Sequence, residues 1–213
     1  MERRFLESRS ARVRVERRED KRAVVVGYAA VFWDPAEPGT QYELYDDLVE
    51  RVMPGCFDRA MMDGDDCRAL FNHDPNLILG RTTAGTCRLS VDRKGLRYEI
   101  DMPDTMCATD VVKHIERGDV TGSSFSFLVE SYNWQEEGNV AIRGLTGVKL
   151  YDVGPVTFPA YEATSVGLRA VEGAADIRKA LDAWRAHRDE VIAVYSARAR
   201  EIETELAKES TAH

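Results

Sequence analysis

Histidine is scarce in this chain, with four among 213 residues, at positions 73, 114, 187 and 213. Imidazole is the side chain best suited to proton transfer near neutral pH, so this scarcity narrows any search for an acid–base centre to very few places. Cysteine is as rare. Cys56, Cys67, Cys87 and Cys107 stand too far apart for a C-x-x-C pair, which excludes a zinc knuckle or a dithiol redox motif and reads as buried thiols, with no metal or cofactor expected. No apolar run approaches the roughly 18–20 residues of a spanning helix. The opening stretch Met1–Glu7 lacks a signal peptide's apolar segment, so the expectation is a protein of the reducing cytoplasm with no membrane partner. Positive charge is in deficit: 29 Lys and Arg face 37 Asp and Glu, a net −8, which argues against nucleic acid as a partner.

What is present describes one domain with a real core and an appendage, since 44% of residues are hydrophobic and 31% charged. Val13 and Val15 alternate with arginines, Glu19–Arg22 interrupt, and Ala23–Phe32 runs apolar, which predicts an opening β-hairpin. Pro54 and Gly55 signal a turn within the mixed stretch 42–58. Further strands are expected at 67–72, 86–92 and 95–102, then at 123–132, 139–143 and 147–153. Between them Val111, Val112 and Ile115 recur at helical spacing, with Thr105 placed to cap the start and Gly118 to end it.

From about residue 174 to 208 Pro and Gly vanish, and Ile177, Leu181, Trp184, Val191, Tyr195, Ile202 and Leu206 follow steps of three and four. One helix of about 35 residues is predicted, its stripe broken by Arg188 and Arg198. It either packs on its own domain or pairs with a partner or a second copy. The expected boundaries are a catalytic domain over 1–170 and a helical extension over 171–213.

Acyl-transfer chemistry needs a hydroxyl or thiol beside a base, and a third group to orient that base. His213 is terminal, His187 lies in the charged helix, and His114 falls on an amphipathic helix. His73 sits at a strand end before Pro75, where it is either a turn residue or a presented base. In the run Gly122–Phe127, strand alternation sends Ser123, Phe125 and Phe127 to one face and Ser124 and Ser126 to the other. That leaves two hydroxyls on the second face. The run is not the G-x-S-x-G elbow of α/β-hydrolases, because Ser126 stands where the second glycine belongs.

Together and in order, Gly27–Phe32, Glu50–Phe57, Leu70–Asp74 with Leu79–Arg81, Arg117–Phe127 and Tyr151–Tyr161 resemble the prohead maturation proteases of tailed bacteriophages. That family is related to the herpesvirus assembly protease. The resemblance spans about residues 10–170. It implies an α+β fold, mainly an antiparallel β-barrel of the herpesvirus type with flanking helices. By the same resemblance His73 is the base, Ser124 the nucleophile and Asp152 the acid, where many relatives carry glutamate. Ser123 replaces a residue often methionine, and Ser126 one often glycine. Oxyanion donors are placed by analogy in Phe158, Pro159, Ala160 and Tyr161. The implied activity is a serine endopeptidase that removes the scaffolding segment of the major capsid protein inside the assembling prohead in the host cytoplasm, and then cleaves itself. A non-enzymatic scaffold or capsid-assembly adaptor is the alternative, and a small-molecule esterase is disfavoured by the missing elbow.

Overall fold

A computed structural model describes residues 12–19, 22–158 and 174–210. The opening hairpin is realised as β1 (Arg14–Arg17) and β2 (Ala23–Val31), paired antiparallel with Arg17 opposite Ala23. β2 continues onto β8 (Gly95–Asp101) and β8 onto β7 (Cys87–Val91), giving a four-stranded sheet in the order β1-β2-β8-β7. A second sheet runs β3 (Gln41–Tyr45), β4 (Leu48–Val52), β10 (Val140–Val156), β5 (Arg68–Leu70) and β6 (Ile78–Arg81), and β9 (Gly122–Glu137) pairs along the other side of β10.

The α+β class holds and six of the eight strand pairings among the described residues are antiparallel, as expected, but closure into a barrel is unconfirmed. Strand pairing among the described residues forms two sheets, and no closed barrel is found. The second sheet is also mixed, because β10 runs parallel to both β4 and β5. The two strands expected at 139–143 and 147–153 are one long β10, carried past Gly147 by register shifts instead of a turn. Strands β3, β4 and β6 escaped the sequence reading. So did the short helix α1 (Asp58–Asp63), which closes on Gly64 in the left-handed conformation.

Helix α2 (Met106–Arg117) forms where expected. The Thr105 hydroxyl accepts from the Ala108 amide at 3.3 Å, and Gly118 adopts φ 84°, a conformation open to glycine at little cost. Its buried face (Ala108, Val111, Val112, Ile115) joins a core with Phe57, Leu96, Tyr98, Ile100, Phe125, Leu150 and Val153. Phe125 and Phe127 stack at 4.4 Å, and Phe57 meets Phe125 edge-on at 5.9 Å, so one face of β9 is committed to apolar packing.

The chain divides into two compact units, residues 1–173 and 174–213. The second contains α3 (Ala174–Ser210). Within it the Arg188 guanidinium lies 5.2 Å from the Trp184 ring and bonds Asp189 at 2.8 Å, while Val191, Ile192 and Val194 are exposed. No helix among the described residues is long and apolar enough to cross a membrane.

Candidate active site

The site begins with a chain reversal. β5 ends at Leu70, and the backbone turns back through Asn72 and His73, both left-handed at φ 54° and 57°. Asp74 completes the turn, its carboxylate accepting from the Asn76 amide at 2.8 Å while its carbonyl accepts from Leu77 at 2.9 Å. The reversal therefore occurs at Asn72 and His73, before Pro75. Asn72 ties the turn to the end of β10. Its amide donates to the Pro155 carbonyl at 3.1 Å, and its side chain exchanges two hydrogen bonds with Thr157.

From this turn the His73 ring reaches Asp152, its Nδ1–H donating to Oδ1 of the carboxylate. The other carboxylate oxygen accepts from the Ser126 hydroxyl. Both side chains of the His73–Asp152 pair are largely buried, at 11% and 12% exposure, which strengthens the interaction by excluding water. With Nδ1 occupied in this way, Nε2 is the nitrogen that proton transfer would use.

Asp152 reaches this position through an irregularity in β10. Leu150 lies opposite Phe127 on the core face, so strict alternation would place residue 151 on the outer face and return Asp152 to the core. Tyr151 is instead an extra residue in the ladder, and Asp152 falls opposite Ser126. A β-bulge that re-aims a side chain in this way recurs next to active sites. Beyond it Val153 faces Phe125 in the core and Gly154 faces Ser124. Any side chain at 154 would overlap the Leu70 carbonyl oxygen of β5, so only glycine lets the two strands meet there.

The three serines of β9 therefore have different neighbours. Ser123 points into the core, where its hydroxyl lies 2.7 Å from that of Tyr98 beside Gly27, which has no room for a side chain. Burial raises the Tyr98 phenol above its ordinary range, against the downward pull of the Ser123 hydrogen bond. Ser124 and Ser126 share the opposite face, both largely buried. Ser126 is bound to the acid. Ser124 lies two cross-strand pairs further along, opposite Gly154.

Of the oxyanion candidates, Phe158 is exposed and Pro159, Ala160 and Tyr161 lie outside the described residues. Other residues of the matching motifs turn out to hold the frame. Arg81 forks onto Asp66 at 2.7 and 2.6 Å, keeping that carboxyl well below the usual range, and clips β6 to the start of β5. Arg51 lies over the Trp33 ring at 3.9 Å and pairs with Glu137, while Glu50 meets the buried Arg143 at 3.3 Å. Burial pushes the Cys56 and Cys87 thiols up to about 12 and raises Cys67 further, so none of the three carries thiolate character near neutral pH. Among the described residues no group of His, Cys, Asp and Glu could hold a metal ion.

The sequence offers Ser126 only as a rival hydroxyl and points to no role for Asn72. An asparagine before the histidine, a residue tolerant of the left-handed region, was the one available signal for the latter. A carboxylate-held imidazole beside a strand with hydroxyls on the same face is the equipment of an acyl-transfer hydrolase. Comparison with protein families supplies the particular: residues 10–177 match the Caudovirus prohead serine proteases, and the chain belongs to that family. It is accordingly a serine protease with a role in the phage prohead. No curated protein and no solved structure gave a significant match.

Proposed function

We propose that the chain is a prohead maturation endopeptidase in which Ser124 is the nucleophile, His73 the general base and Asp152 the residue that orients His73. The observation carrying this reading is the Asp152 carboxylate, which receives His73 Nδ1 on one oxygen and Ser126 on the other, on the strand face that Ser124 shares. Ser124 Oγ attacks the scissile carbonyl carbon while His73 Nε2 takes its proton. The imidazolium, held by Asp152, then protonates the departing amine, and water resolves the acyl-enzyme by the same route in reverse. Ser126 is not the nucleophile in this scheme, because its hydroxyl proton is directed to a carboxylate and not to the imidazole.

The oxyanion donors lie in the segment Phe158–Tyr161, directly after the strand end that Asn72 holds. The substrate is the scaffolding segment of the major capsid protein inside the immature shell, followed by the protease itself. Kinship with the herpesvirus assembly protease belongs to the same proposal. Its support is the ordered series of motifs running from Gly27–Phe32 to Tyr151–Tyr161.

Co-expression with the cognate capsid protein, followed by intact-mass measurement of both chains, tests the whole reading. Truncation of both chains is expected with the wild type and of neither with Ser124→Ala. Processing that survives Ser124→Ala and disappears in Ser126→Ala would transfer the nucleophile to Ser126.

A further inference from the structure

We infer that Asn72 is a positioning residue for the catalytic histidine, a conclusion that rests on the reading of His73 as base. Two adjacent residues other than glycine in the left-handed region are uncommon, and a histidine held there owes its direction to whatever keeps its backbone from relaxing. At His73 a relaxed, negative φ would swing the ring off Asp152. Asn72 opposes this with three contacts to the exit of β10. Its amide donates to the Pro155 carbonyl at 3.1 Å, its Nδ2 donates to Thr157 Oγ1 at 3.2 Å, and its Oδ1 accepts from the Thr157 amide at 2.8 Å.

The anchor and the acid stand on the same stretch of chain, Asp152 within β10 and Thr157 just past its end. The turn is thus pinned on one side by its backbone and on the other by the imidazole. The span from 152 to 157 sets the distance between them. Loss of the asparagine side chain removes two of the bonds that hold the turn to the exit of β10, and small misplacements of an acid–base group cost rate steeply.

Substitution separates the two contributions of Asn72. Glycine suits φ 54° and keeps the main-chain bond, so Asn72→Gly removes only the side-chain bonds. Asn72→Asp keeps them, with one oxygen accepting from the Thr157 amide and the other from its hydroxyl, and adds a negative charge next to His73. A fluorophosphonate probe reads the outcome without any peptide substrate: the Ser124 oxygen–phosphorus bond forms, the phosphorus–fluorine bond breaks, fluoride leaves and the serine proton passes to His73.

With the full chain, Asn72→Gly is expected to label about tenfold or more slowly than wild type at an unchanged melting temperature. Asn72→Asp should recover the rate at alkaline pH, with the acid limb of its pH profile moved upward, because a nearby negative charge stabilises the imidazolium. Wild-type labelling in Asn72→Gly would overturn the inference. If that variant does not fold, Asn72→Asp decides, and an unmoved acid limb there overturns it equally. Labelling that persists in Ser124→Ala would instead remove the reading of the site on which the inference stands, whatever Asn72 does.

Discussion

Three serines within four residues of β9 make different contacts, and each contact carries its own expectation. Ser124→Ala should abolish proteolysis with no loss of stability, since a small hydroxyl leaves and no packing volume changes. Ser126→Ala should leave the nucleophile in place but release one side of the Asp152 carboxylate, lowering kcat by roughly tenfold with KM little changed, as steady-state kinetics would show. Ser123→Ala should leave kcat alone and cost about 1 kcal/mol in urea unfolding, because it strands the buried Tyr98 hydroxyl. A loss of activity in Ser123→Ala larger than in Ser126→Ala would contradict this division. Asp152→Asn is expected to be the severe change on the acid side, on the order of 10⁴ in kcat by analogy with other triads, because the amide favours the wrong imidazole tautomer. The buried thiols set a further expectation. Cys56 and Cys87 are held near 12, above the ordinary thiol value of 9.0, so the unfolded chain loses these protons first. The thiols' contribution to stability in urea should therefore be constant below about pH 9 and fall as pH rises from there toward about 12.

At the level of elements, helix α2 was readable because its signals are local: a threonine one residue before the first turn, apolar spacing of three and four, and a glycine at the end. Thr105→Ala should cost about 1 kcal/mol, measurable by thermal melting, since one amide at the helix start loses its acceptor. β10 was less readable for a matching reason. Its alternation is interrupted by the extra Tyr151, and a period-two reading carried through from Leu150 places Asp152 in the core. The resemblance to known proteases, not periodicity, pointed to Asp152. Gly154 is the companion constraint. Gly154→Ala should cost about 2–3 kcal/mol or more and reduce activity as well, because a methyl group there must push β5 away from β10 and carry the His73 turn with it. Melting temperature and probe labelling measured on the same sample would show whether the two losses travel together. Strands β3, β4 and β6 went unread because each is only four or five residues long, β3 and β6 are mixed in polarity, and β4 takes its second partner, β10, from far away in sequence.

For the whole molecule, the family match ends at residue 177, only just inside α3, so most of that helix lies outside the matched region. Of the two roles open to α3, packing on its own domain or pairing with a partner or a second copy, we propose the second, through a stripe that includes the exposed Val191 and is broken by Arg188. Ending the chain after His187 should leave Ser124 labelling within twofold of the full-length rate, and abolish either self-association in analytical ultracentrifugation or incorporation into procapsids. Unchanged association and incorporation would return the helix to a purely structural role.

Chemistry carried by neighbouring residues could be read directly from the chain: the α2 caps, the opening hairpin, the long α3, and the confinement of acid–base candidates to a handful of histidines. Motifs in order supplied the family and with it the nomination of His73, Ser124 and Asp152. Tertiary structure alone decided how distant segments meet. It decided that β10 runs parallel to β5, that the Tyr151 bulge brings Asp152 to the face of Ser126, and that Asn72 ties the histidine turn to Thr157. Those pairings join residues 26 to 85 positions apart, and they depend on register and close backbone approach. Side-chain identity constrains such features only after the strands have met.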